Sequence, residues 1–120
     1  MHVLLVEDDA DVATRYADAL GRAGFVISTA GSGADAFKVL ERQAVDAIVC
    51  DFTLPGEDGS TFFERLAERS PDLAERVLFV TGWSKDTKTS SLLELTGRPV
   101  LTKPVDLEDL TIAVRRLVGA

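Results

Sequence analysis

Apolar positions fall into five short runs along the chain: Val3–Val6, Phe25–Ser28, Ala47–Cys50, Val77–Val80 and Val100–Leu101. Each is rich in Val, Leu or Ile and does not alternate with polar residues. Such runs predict strands of a parallel sheet buried on both faces, because a half-exposed antiparallel strand would alternate. Between the runs the apolar residues recur at helical spacing. Val12, Tyr16 and Leu20 share a face between Asp9 and Ala23, Phe37 and Leu40 between Ser32 and Arg42, and Phe62, Phe63 and Leu66 between Ser60 and Arg69. Leu107, Leu110, Val114 and Leu117 form the last stripe, with Asp106 as its predicted N-cap. The segment Lys85–Leu95 is rich in Thr and Ser, poor helix formers, yet Leu92, Leu93 and Leu95 need burial; a short or mobile helix is expected there. Gly24, Gly31, Pro55-Gly56, Gly59, Pro71 and Gly97 punctuate the joins.

Strict alternation of strand and helix implies right-handed crossovers and helices on both faces of one parallel sheet, a three-layer doubly wound α/β sandwich of (βα)5 type. In such sheets the ligand site lies beyond the carboxyl ends of the strands, where the strand order reverses. The residues at those ends are therefore the ones to inspect. The first run ends in Glu7-Asp8-Asp9, the third in Asp51, the fourth in Thr81, and the fifth, through Thr102, in Lys103. The second ends in the uncharged Ser28-Thr29-Ala30, which suits a strand at the sheet edge.

Composition narrows the partners. A chain of 120 residues, 46% hydrophobic with only 4 Pro, suits a single domain over residues 1–120. Twenty acidic against thirteen basic residues give a net charge of −7, which repels nucleic acid and anionic lipid, so any control of transcription must pass through a protein partner. No run approaches the roughly 20 apolar residues that span a bilayer, and no signal peptide is expected, since the residues after Met1 lead directly into a strand-like run. The single Cys50 allows no internal disulfide and fits a reducing compartment. A cytoplasmic location is expected, and Cys50, inside an apolar run, is expected to be buried and inert.

Converging carboxylates repel one another by about 4 kcal/mol per pair at 4 Å and an effective dielectric near 20. A hard divalent cation relieves that repulsion, and Mg²⁺ favours one or two carboxylates, several waters and phosphate oxygens. A carboxylate placed between such a cation and an ammonium is suited to attack phosphorus. Taken singly, each residue has a plainer role: the acidic run as an N-cap, Thr81 as a loop hydroxyl, Lys103 as a solvated charge. Their order and their common placement at strand ends favour the shared site.

Four stretches carry a resemblance over nearly the whole chain: Val3-Leu4-Leu5-Val6-Glu7-Asp8-Asp9, Ile48 through Gly59, Val77-Leu78-Phe79-Val80-Thr81-Gly82, and Leu101-Thr102-Lys103-Pro104. In that order they resemble the receiver domains of two-component signalling. The resemblance implies a flavodoxin-like sheet of order 2-1-3-4-5, with Asp51 as phosphoacceptor. It implies Mg²⁺ bound directly by Asp8 and Asp51, by Glu7 mainly through water, and by the Thr53 backbone carbonyl, with Thr81 and Lys103 on the phosphoryl group. It further implies a phosphohistidine donor on a sensor histidine kinase or a histidine phosphotransfer protein, a downstream protein target, no turnover of a small molecule, and a Lys103–Pro104 bond that is often cis in the family.

Two positions depart from the family pattern. Where a Tyr or Phe often stands three residues before the lysine, this chain has Val100, and bulky Trp83 follows Thr81 by two residues. Other readings are weaker. Gly31-Ser32-Gly33-Ala34-Asp35-Ala36 imitates a dinucleotide fingerprint, but it follows the second run and reads better as a turn with Ser32 capping a helix. A haloacid dehalogenase-type phosphatase would need an acid at position 53, where Thr stands. A receiver-like scaffold that binds proteins without phosphorylation would not need the full set of acids, Thr81 and Lys103.

Overall fold

The three most continuous apolar runs become the centre of the sheet. The computed structural model describes residues 1–82 and 87–119. Its elements are β1 (His2–Val6), α1 (Ala10–Arg22), β2 (Val26–Ala30), α2 (Gly33–Arg42), β3 (Ala47–Asp51), β4 (Thr53–Leu54), β5 (Glu57–Asp58), α3 (Gly59–Arg69), α4 (Pro71–Ala74), β6 (Val77–Thr81), α5 (Thr87–Thr96), β7 (Val100–Thr102) and α6 (Leu107–Val118). Five strands form one parallel sheet of order β2-β1-β3-β6-β7. With the small β4–β5 hairpin set aside this is the expected 2-1-3-4-5 order, and the strand direction of growth reverses between β1 and β3.

Each central strand sends alternate side chains into two separate cores, because successive Cβ atoms point to opposite faces. Leu4, Val6, Ile48, Cys50, Val77 and Phe79 pack with Ala36 and Phe37 of α2, Phe62 and Leu66 of α3, and Leu93 of α5. Val3, Leu5, Ala47, Val49, Leu78 and Val80 pack on the other face with Tyr16 and Leu20 of α1 and Leu110 and Val114 of α6. Burial on both faces explains the lack of polar alternation in these runs.

The helices start where capping residues stand. Asp9 accepts from the backbone N–H groups of Asp11 and Val12, Ser32 from Asp35, Asp58 from Thr61, and Asp106 from Glu108 and Asp109. Each satisfies donors that the first turn leaves without a partner inside the helix.

The sheet edges differ from expectation. The second strand is Val26–Ala30, not Phe25–Ser28: Phe25 folds into the core as the last residue of the α1–β2 turn, while Val26 is exposed. Val100 on β7 is 42% exposed, since an edge strand covered on one side does not bury both faces. Leu95 was expected to be buried with Leu92 and Leu93 but is 81% exposed. A residue two positions beyond buried Leu93 is turned about 200° around the helix and faces solvent. The segment Lys85–Leu95 yields α5, Thr87–Thr96, but its first two residues and Trp83 lie outside the described residues. Helix α4 and the β4–β5 ladder were not expected as separate elements. Both are too short to carry a periodic pattern. The Lys103–Pro104 bond is cis.

Candidate functional site

The parallel register carries the polar strand ends to one rim. Asp51 ends β3 opposite Val80, one residue before Thr81, and Thr81 in turn pairs with Thr102, one residue before Lys103. Val6 pairs with Cys50, so the residues after them, Glu7 and Asp51, emerge side by side. Residues up to 96 positions apart in sequence thus meet at neighbouring strand ends.

Glu7, Asp8 and Asp51 each offer a carboxylate oxygen, and these oxygens lie within 4.8 Å of one another. Lys103 Nζ donates to Asp51 Oδ2 at 3.1 Å and to Glu7 Oε2 at 3.2 Å. Glu7 and Asp51 are buried, Lys103 is half-buried and Asp8 is exposed. The second Asp51 oxygen, Oδ1, accepts the Thr53 backbone N–H at 2.9 Å. Glu7 Oε1 accepts the Asp9 N–H at 3.2 Å. Thr81 is buried at the same rim, and its carbonyl accepts the Lys103 N–H at 2.7 Å, fixing where the lysine leaves the sheet.

The acidic run after β1 therefore divides its labour. Asp9 caps α1, as the plainer reading of the run expected, while Glu7 and Asp8 turn toward Asp51.

Burial raises the pKa of Glu7, and the charge of Asp51 adds to it; the Asp9 N–H and Lys103 work in the opposite direction without cancelling the rise. Burial would lower the pKa of Lys103, but the hydrogen bond and charge of Asp51, then those of Glu7, outweigh it and raise it. The ammonium is thus held charged against two carboxylates. Three carboxylates beside one ammonium leave negative charge in excess, and their hard oxygen donors suit Mg²⁺ better than a soft metal.

The loop below the site is firmly tied. In the β4–β5 hairpin Thr53 pairs with Asp58 and Leu54 with Glu57, around a turn in which Gly56 adopts φ +79°. Leu54 is buried, and Asp58 caps α3 from the far strand. At the start of α3, a Cβ on Gly59 would stand 2.6 Å from the Phe52 ring and 2.9 Å from the Phe79 ring. Only glycine lets α3 start that close to the strand carrying Asp51.

The site residues expected from sequence lie at this rim: Glu7, Asp8 and Asp51 within reach of one another, Lys103 on Glu7 and Asp51, and Thr53 and Thr81 beside them. Sequence reasoning placed Gly33 only in the turn before a helix, and no local pattern marks that a Cβ there would meet the Glu57 carboxylate.

A doubly wound parallel sheet with acids, a hydroxyl and a lysine at its switch point defines an α/β signalling domain of the receiver type. The chain belongs to the response regulator receiver domain family, whose model matches residues 3–115. It is 31% identical over 117 residues to the TorCAD operon transcriptional regulatory protein TorR of Escherichia coli K12, covering 98% of this chain and 50% of that protein. It is also 31% identical to the sensor kinase CckA of Brucella abortus, covering 97% of this chain and 12% of the kinase. The chain thus spans about half the length of the first of these relatives and a small part of the second. Among solved structures, a response regulator from Chloroflexus aurantiacus superposes with a TM-score of 0.87 at 28% identity, covering 99% of this chain and 98% of that one. The chain is therefore a receiver domain of two-component systems, homologous to response regulators and to the receivers of sensor kinases. Among the described residues, no helix is long and apolar enough to cross a membrane.

Proposed function

We propose that this domain accepts a phosphoryl group on Asp51 from a phosphohistidine donor, on a sensor histidine kinase or a histidine phosphotransfer protein. The observation that carries the reading is the Lys103 ammonium bridging Asp51 and Glu7 beside Asp8, at the switch point of the sheet. In the transfer a carboxylate oxygen of Asp51 attacks phosphorus, the new P–O bond forms as the P–N bond breaks, and the histidine nitrogen keeps the electron pair. Asp8 and Asp51 would hold Mg²⁺ directly, Glu7 through water, and the Thr53 carbonyl would complete the protein ligands. The ion supplies positive charge to the oxygens of the transferring group. Lys103 steadies the Asp51 carboxylate before transfer and the phosphoryl oxygens after it, and the Thr81 hydroxyl donates to the same oxygens.

Asp51 is consumed as acceptor and regenerated on hydrolysis, so the domain acts as a switch set by the balance of the two reactions. Its output is a changed protein-binding face read by a downstream protein, in keeping with an acidic surface unsuited to nucleic acid.

Mass spectrometry after treatment with acetyl phosphate and Mg²⁺ tests the reading. One phosphoryl group is expected on the wild type and none on Asp51→Asn. Uptake by that variant at the wild-type level, at any residue, would refute Asp51 as acceptor. No uptake by the wild type would favour a scaffold that works through protein contacts alone.

A further inference from the structure

The turn into α2 and the hairpin beside Asp51 meet in one close contact. A Cβ built on Gly33 would stand 1.9 Å from Glu57 Oε1, 3.1 Å from Glu57 Cδ and 3.3 Å from the Phe62 ring. The Glu57 carboxylate thus lies where any side chain at position 33 would go. Its Oε1 accepts from Arg65 Nη2 at 2.8 Å, and the Arg65 guanidinium stacks 4.8 Å above the ring of Phe37, a residue of α2. Gly33, Glu57, Arg65 and Phe37 therefore close a strap from α2 across the hairpin to α3. Glu57 is also the cross-strand partner of Leu54, next to Thr53, and Thr53 donates its N–H to Asp51 Oδ1.

We infer that Gly33 is a positioning residue for the phosphorylation site: by leaving room for the Glu57 carboxylate it lets the strap close, and the closed strap holds Thr53 against Asp51. This role rests on the reading of Asp51 as a Mg²⁺-dependent phosphoacceptor. A ladder of two residue pairs has little stability of its own, so the hairpin depends on such anchors. Buried Leu54 and the Asp58 cap hold its ends to the body, whereas the Glu57–Arg65 pair holds it to α3 and, through Arg65 on the Phe37 ring, to α2. The atom closer than 3 Å is the tip of a flexible side chain, and the buried Phe62 ring at 3.3 Å need give only a few tenths of an ångström. An added methyl therefore displaces the carboxylate from Arg65 and leaves the fold intact.

Positioning and damage have different signatures here. Gly33 is the first residue of α2 and does not adopt a positive φ. Alanine there restricts the unfolded chain and, taken alone, favours the folded state. Gly33→Ala should accordingly keep or raise the melting temperature while it weakens Mg²⁺ binding, a pair of effects that general destabilisation does not produce.

Calorimetric titration with Mg²⁺, together with hydrogen exchange at residues 53–58, on the wild type, Gly33→Ala, Glu57→Ala and the double variant tests this. Each single variant is expected to raise the Mg²⁺ Kd roughly threefold, as fits loss of one half-exposed ion pair, and to speed exchange in the hairpin. The double variant should match Glu57→Ala closely, because without the carboxylate the methyl meets only the Phe62 ring, at 3.3 Å. An unchanged Kd and unchanged exchange in Gly33→Ala, with a wild type that binds Mg²⁺, overturn the strap alone, as do additive effects in the double variant. A wild type that takes up no Mg²⁺ overturns the site reading and the strap's role with it.

Discussion

The Lys103 ammonium stands 3.1 Å from the Asp51 carboxylate, although 52 residues separate them and β6 runs between their strands. The lysine reaches across the end of β6, where its own N–H is tied to the Thr81 carbonyl at 2.7 Å. It ends up as the counter-charge for Asp51 and for the more deeply buried Glu7.

Removing that counter-charge should cost stability in a way that metal repairs. Lys103→Met leaves two buried carboxylates facing each other, and losing hydrogen bonds between charged groups that are partly buried costs about 1.5–3 kcal/mol. Urea unfolding without divalent ions should show this loss. Mg²⁺ at millimolar concentration should recover more stability in the variant than in the wild type. An equal gain in both proteins would mean that lysine and metal do not share these carboxylates.

A cation that binds the folded acids and not the unfolded chain stabilises by mass action, by about 2.7 kcal/mol at a hundredfold excess over Kd. The melting temperature should therefore rise by several degrees over a Mg²⁺ titration. Asp8→Ala should remove most of the rise. Because Asp8 is exposed, truncating it removes little packing, and the variant should melt near the wild type when no metal is present. A flat titration for the wild type would count against a metal at these residues.

Asp58 offers a pH test at the cap of α3. Burial works to raise its pKa, but hydrogen bonds from the Ser60 hydroxyl and the Thr61 N–H, with smaller ones beside them, lower it overall. A depressed folded-state pKa contributes stability above the ordinary value of 3.8, and that contribution fades as pH falls through the folded value. Asp58→Ala, which loses the α3 cap, should cost about 1 kcal/mol at neutral pH. The gap between the variant and the wild type should shrink in acid below pH ~4. A gap that does not change with pH would show that the charge of Asp58 contributes nothing.

Val100 bears on how phosphorylation is read out. It is branched at Cβ, with few rotamers, and sits half in solvent on an edge strand. It has no ring to swing inward behind Thr81. The response should pass instead into α5, whose Thr- and Ser-rich start gives low local stability, the end of the scale from which moving elements are drawn. Hydrogen exchange with and without beryllofluoride and Mg²⁺ should change chiefly across residues 87–97, with little change at 100–102. The opposite distribution would place the switch in β7.

The central strands were legible because β1, β3 and β6 are buried on both faces, which leaves an unbroken apolar signature. The edges were not: β2 and β7 answer to a core on one side and to solvent elsewhere, so their limits slid by a residue or two. Strand ends in a parallel sheet line up by register, and this is why the acids, Thr81 and Lys103 could be gathered from sequence onto one rim. The strap from Gly33 to Glu57 follows no such rule. It joins residues 24 apart through a turn and a hairpin whose approach depends on packing, not on periodicity.

Cys50 gives the domain a built-in gauge of its own opening. Its thiol is fully buried in the middle strand, and burial first, then the charge of neighbouring Asp51, push its pKa well up. While the sheet is closed, a thiol-specific reagent finds neither access nor a thiolate. Alkylation of this single thiol therefore counts the molecules in which β3 has come apart. The rate at which label accumulates, with and without Mg²⁺ or a phosphoryl mimic, turns an unmodified chain into a recorder of rare global excursions that no engineered probe is needed to read.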